Sequence, residues 1–182
     1  MQPSSRDRTL GGLIVVVGVL FQSLWLGRGA ALLSVAFVIA YAVWLGGSWN
    51  FQSRSLQATY GIAVVIFLLH ACEEFFTGFQ RRLPALIGSR WTDAQFLVFN
   101  TAWFAVFVVA GWGLRRRHAL AVLIVLFFAL AGGVGNGIAH MLLVVTQRGY
   151  FPGAWTAPLC LVVGFALLRQ LFIVPPTARD AL

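Results

Sequence analysis

The sequence predicts an all-α integral membrane bundle of six transmembrane helices, and three observations predict it. Hydrophobic residues make up 60% of the chain and charged residues 10%, a balance far outside that of soluble domains. Six apolar runs approach the roughly 20 residues that a helix needs to cross a hydrocarbon core about 30 Å thick. Arginine supplies all thirteen basic residues, and most of it falls between those runs. Backbone polar groups in lipid must be paired within the chain, so such runs are read as helices.

The spans are placed at about Leu10–Leu26, Ala30–Gly46, Leu56–Phe79, Asp93–Leu114, His118–Thr146 and Ala154–Ile173, in one transmembrane domain covering 1–182. The first follows Arg6 and Arg8 as a secretory signal does, but no small-x-small cleavage site follows it, so it is read as a retained span. Thr92 is placed to cap the fourth, with Asp93 in the first turn and Gln95 at the third position of a capping box. Gly149-Tyr150-Phe151-Pro152-Gly153 turns the chain from the fifth span into the sixth, and Pro175-Pro176 stops the sixth. The chain ends are expected to be short and disordered. Gly133 and Gly137 form a small-xxx-small surface in the fifth span, read first as a close helix contact and second as local unwinding near Asn136. The seven tryptophans lie mostly near span ends, as interfacial anchors do.

Arginine counting sets the orientation. With the N-terminus inside, Arg6, Arg8, Arg54, Arg115, Arg116, Arg117, Arg169 and Arg179 face the cytoplasm and five arginines face outward, which favours N-in/C-in. The dispersed arginines argue against nucleic-acid binding. The absence of lysine beside abundant alanine, glycine and arginine suggests a bacterial protein, placed in the inner (cytoplasmic) membrane. Cys72 and Cys160 lie in apolar runs as small hydrophobes and imply no disulfide framework.

His70-Ala71-Cys72-Glu73-Glu74 puts an imidazole and two adjacent carboxylates inside the third span. An ionisable group there costs at least about 2.5–3.5 kcal/mol, so several together point to a site. His70 stands three and four residues before the glutamates, and Asn136 and His140 form a second pair at spacing four in the fifth span. Counted at helical rise, His70, Asn100, Asn136 and His140 all fall roughly 9–15 Å from the same, outer membrane face. His118 falls at the opposite face and is excluded. Asn100 taken alone reads as an interhelical hydrogen bond, and Tyr150 sits in a loop facing the site, as turn anchor or closure.

Two neighbouring carboxylates in a low dielectric need a proton or a cation. His70, His140, Glu73 and Glu74 are therefore candidate ligands of a divalent metal, zinc first, with one glutamate as ligand and the other as general base. Glu73, Glu74, His70 and Asn136 are the candidate catalytic residues, Asn136 orienting a ligand or substrate. The plainer alternative makes His70 a helix bridge and pairs the glutamates with Arg81 or Arg82. At this depth the substrate is expected to be lipid-like or another hydrophobic small molecule, with hydrolysis as the default reaction. Two further readings stay open: a metal-free acid/base isomerase or cyclase, and a proton-coupled transporter or binding protein.

The pattern His70-x-x-Glu73-Glu74 in a small polytopic protein resembles the HXXEE family, mostly bacterial membrane proteins named for that motif. The resemblance covers the main transmembrane body. It implies that His70, Glu73 and Glu74 define the group, and it carries no established activity. Cys72 stands at a variable position of the motif and receives no role from it.

Overall fold

The computed structural model describes residues 2–49 and 54–172, and among these the regular structure is helical, with no strand. Helix α1 (Ser5–Leu26) starts at a capping box in which Ser4 and Asp7 exchange backbone and side-chain hydrogen bonds. The chain is therefore ordered and helical from Ser5, earlier than the expected Leu10. One turn of 3₁₀ helix at Gly27–Ala30 reverses it into α2 (Ala31–Gly46). The Tyr41 hydroxyl donates to the Arg8 carbonyl at 2.8 Å and Ser34 to Gln22 at 3.4 Å, so the two helices run antiparallel. Gly18 permits their contact, because a Cβ there would run into the Phe37 ring.

Among the described residues, four stretches are long and apolar enough to cross a membrane: Ser5–Gly46, Arg54–Thr77, Asp93–Arg115 and Ala119–Thr146. The first holds the α1/α2 hairpin and so contributes two helices. The second is α3 (Arg54–Thr77), which ends before the expected Phe79 because Gly78 adopts φ +87°. A short helix not anticipated from sequence, α4 (Phe79–Leu86), follows. Its Gln80 and Arg81 side chains both donate to the Asp93 carboxylate at the start of α5 (Asp93–Arg115). The capping box of Thr92 with Gln95 forms as the sequence indicates.

The fourth stretch changes its winding along its length, from α6 (Ala119–Phe127) through a π-helical segment (Phe128–Gly135) to α7 (Asn136–Thr146). α6 is buried almost all round, as expected for a helix central to the bundle. Aromatic side chains fill the space beside it: Phe107 lies 5.2 Å from Phe67 and 4.7 Å from Phe128, and Trp103 lies 4.7 Å from Phe127 between ring centroids. Helix α8 (Ala157–Phe172) is a shorter apolar helix. The proposed stop at Pro175-Pro176, together with Ile173 and Arg179, lies outside the described residues.

Several tryptophans correct the anchoring expectation. Trp44, Trp49 and Trp103 are buried within the protein, and indole N–H groups pin elements together, Trp44 to the Ala119 carbonyl and Trp25 to the Gln95 carbonyl. Trp112 and Trp155 are exposed, as anchors are.

α8 is held on two sides. Towards α3, Gln170 donates to Thr59 at 2.9 Å at one end and Thr156 donates to Glu73 at 2.6 Å at the other. Towards the π segment and α7, contact is backbone on backbone: a Cβ on Gly133 would lie 2.6 Å from the Gly164 Cα, and one on Gly137 would lie 3.0 Å from the Ala157 carbonyl oxygen. The small-residue surface at Gly133 and Gly137 is thus a packing face, and Gly164 is its partner. The π winding that ends just before Asn136 runs from Phe128 to Gly135 and includes the three glycines 132, 133 and 135.

Gly133→Ala is expected to lower stability by about 1–3 kcal/mol through overpacking against backbone that has nowhere to move. Gly61→Ala, which faces open space in α3, is the matched control and leaves the thermal midpoint in detergent unchanged or raised. Equal midpoints for the two variants would contradict the packing assigned to Gly133.

Candidate metal centre

α3 and α7 both lean on α8, and their polar side chains meet where the three helices come together. His70 and His140 are 1% exposed and Glu74 7%. The Glu74 Oε1 lies 3.1 Å from His140 Nε2 and 3.5 Å from His70 Nε2. The two imidazoles meet edge to face at 4.8 Å. One ligand atom from each of the three residues falls within a 4.8 Å set. Asn136, half-buried at the first turn of α7, places its amide nitrogen 2.7 Å from His70 Nε2. The spacings of four in the sequence produce this directly, since each pair occupies one face of its helix.

Glu73 departs from the expected ligand set. One residue along a helix turns a side chain by about 100°, and that turn carries Glu73 away from the imidazoles onto the start of α8. Its Oε1 accepts the Tyr150 hydroxyl at 2.8 Å and the Trp155 N–H at 3.0 Å, and its Oε2 accepts the Thr156 N–H at 2.9 Å and the Thr156 hydroxyl at 2.6 Å. Four donors at a helix N-terminus satisfy a carboxylate without a metal. Glu73 is therefore neither within the three-ligand group nor free to act as a base on it.

The plainer pairing with arginine is also absent. Arg81 binds Asp93 at 2.9 Å, while Arg82 donates to the Tyr150 carbonyl at 3.0 Å and lies over the Phe151 ring at 4.9 Å. Asn100 does not bridge helices either: it donates to the Phe96 carbonyl of its own helix at 3.0 Å. His118 precedes α6 at its N-terminus beside Trp112, with no capping hydrogen bond from its side chain, and away from the cluster.

Three contributors escape a reading of spacing alone. Thr156 touches both His70 Nδ1, at 2.7 Å, and Glu73. Gly153, at φ +89°, lets the 147–156 loop lie directly on the imidazoles, since a Cβ there would strike His140 Cε1 and come within 2.9 Å of His70 Cε1. Phe151, fully buried, meets Phe79 edge to face and lies tilted against His140, covering the same side. Turn chemistry marks Gly153 as a loop residue, but only the approach of the loop to α3 and α7 shows what it covers. Tyr150 closes the rim through Glu73, and burial raises its hydroxyl above the ordinary tyrosine value, so it stays a donor.

The cluster suits a cation chemically. Ligand distances of about 2.0–2.2 Å around tetrahedral zinc make neighbouring ligand atoms about 3.3–3.5 Å apart. The two contacts to Glu74 Oε1, 3.1 and 3.5 Å, bracket that spacing. The donor set is two imidazoles and one carboxylate.

These features define a helical membrane protein with a buried two-histidine, one-glutamate cluster at the junction of three helices. A family model described as "Protein of unknown function with HXXEE motif" matches residues 61–167, and the chain belongs to that family. The match runs from α3 into α8 and so contains every residue of the cluster. No curated protein and no solved structure is detectably similar to the chain.

Gly153→Ala combines a strained backbone with a direct clash on His140. It is expected to lower the thermal midpoint and to shift the ring resonances of both His70 and His140. Gly149→Ala, where a Cβ meets nothing within 4 Å, leaves both readouts in place; the same result for Gly153→Ala would remove the loop from the site.

Proposed function

We propose that the chain is a membrane-embedded, metal-dependent enzyme acting on a lipid-like or otherwise hydrophobic small molecule. The observation that carries this reading is the buried convergence of His70, His140 and Glu74, whose Oε1 lies at ligand-like distances from the Nε2 of both imidazoles. Zinc is the first expectation for two imidazoles and one carboxylate, which leave a coordination position open. Bound there, the ion would offset the charge of Glu74 and supply Lewis-acid polarisation and an activated water, which makes hydrolysis the default reaction. Asn136, beside His70, is the polar group placed to orient a ligand or substrate at that coordination position. Glu74 serves as ligand in this reading, and the described residues offer no second carboxylate within the cluster.

The apolar helices around the cluster support a substrate that partitions into hydrocarbon. The arginine balance supports an N-in/C-in orientation, with the site in the outer half of a bacterial inner membrane. Arg81 and Arg82, which count against that orientation, have local partners in Asp93, Tyr150 and Phe151. The acid/base alternative keeps the same residues and needs only a proton in place of the metal.

Elemental analysis of the protein purified without chelator is expected to find about one zinc per chain. His70→Ala, His140→Ala and Glu74→Gln each lose most of it, and chelation lowers the thermal midpoint of the wild type by mass action. A wild type that neither retains nor rebinds zinc, manganese, iron or cobalt overturns the metal reading in favour of the acid/base one.

A further inference from the structure

The Thr156 hydroxyl has one proton and two close neighbours, Glu73 Oε2 at 2.6 Å and His70 Nδ1 at 2.7 Å. Glu73 accepts from three other donors as well, the pattern of a carboxylate that has no proton to give. The hydroxyl must therefore spend its proton on Glu73 and receive its second hydrogen bond from His70. That places the imidazole proton on Nδ1. Nε2 is then the bare nitrogen, and the Asn136 amide N–H, 2.7 Å away, is the complementary donor to it. The two shortest contacts, one at each ring nitrogen, select the same tautomer, against the longer approach of the Glu74 Oε1 acceptor at 3.5 Å from Nε2.

We infer that Glu73 and Thr156 are positioning residues, which fix the Nδ1–H tautomer of His70 and present its Nε2 lone pair to the cluster. The two glutamates of the motif thus act on one histidine from opposite sides. Glu74 meets the ring at Nε2, inside the pocket, and Glu73 holds it at Nδ1 through the threonine hydroxyl. A carboxylate that orients a histidine from behind is the usual companion of a metal-binding imidazole, and here the hydroxyl extends its reach. His140 is not held in this way, because its Nδ1 is buried without a hydrogen-bond partner. The consequence for metal affinity rests on the function proposed above, whereas the tautomer does not.

The test uses full-length protein labelled with 15N-histidine, stripped of metal by chelator. The chain has three histidines, so His70→Gln assigns the His70 signals. Wild type and Thr156→Ser are expected to show a protonated Nδ1 and a bare Nε2 at His70. Thr156→Val removes the acceptor and leaves Glu74 Oε1 as the better partner, so the signals move towards the Nε2–H tautomer. Zinc affinity falls about 10- to 100-fold in Thr156→Val and returns in Thr156→Ser. An Nε2–H tautomer in the wild type, or a Thr156→Val spectrum unchanged from it, overturns the inference. Should Thr156→Val fail to fold, the wild-type tautomer alone decides. Wild-type protein that binds no metal but shows the Thr156-dependent tautomer would end the metal reading and leave this one standing.

Discussion

The start of α8 is anchored on the Glu73 carboxylate, and the geometry of the cluster follows from that anchor. The carboxylate answers the N–H groups of Trp155 and Thr156 that a helix N-terminus leaves without intrahelical partners. It thereby sets where α8 begins relative to α3. Once α8 is placed, Thr156 stands behind His70, and the glycine face of the π segment and α7 packs on the other side of α8. α7 then delivers Asn136 and His140 to the same pocket. A charge that is costly in hydrocarbon is offset by four donors, and the ordering they impose extends across three helices.

Most of the fold is legible in the sequence because bilayer thickness dictates length and hydrocarbon dictates composition. The cap at Thr92 and the break at Gly149 to Gly153 are legible for local reasons, since each depends on residues adjacent in the chain. Helix α4 escapes because its eight residues carry no long apolar run. The tryptophans mislead because proximity to a span end does not distinguish facing lipid from reaching a neighbouring helix. Trp44, whose indole N–H meets the Ala119 carbonyl, shows the difference.

The site is legible to the same depth and no further. Spacing of four on α3 and on α7 puts His70 with Glu74 and Asn136 with His140, and counted depth brings the pairs together. Spacing cannot say which of two adjacent glutamates faces inward, since both lie within reach of His70 on an isolated helix. That choice is made by α8, more than 80 residues further along the chain, as the contact between Glu73 and Thr156 shows. Thr156 and Gly153 carry no signal of their own: one is a threonine before a helix and the other a glycine in a turn.

The π-helical segment makes the second half of the site depend on how the chain before it is wound. Bonds from residue i to i+5 accommodate more chain per turn than α-helical bonds do, so Phe128–Gly135 offsets everything after it relative to α6. Asn136 and His140 reach the pocket only in the shifted phase. A regular α-helix wound over the same residues, Phe128 to Gly135, would satisfy the backbone as fully in hydrocarbon. It would also rotate Asn136 and His140 by about 100° about the helix axis, leaving a bundle that still inserts and packs but whose two halves of the pocket no longer face each other.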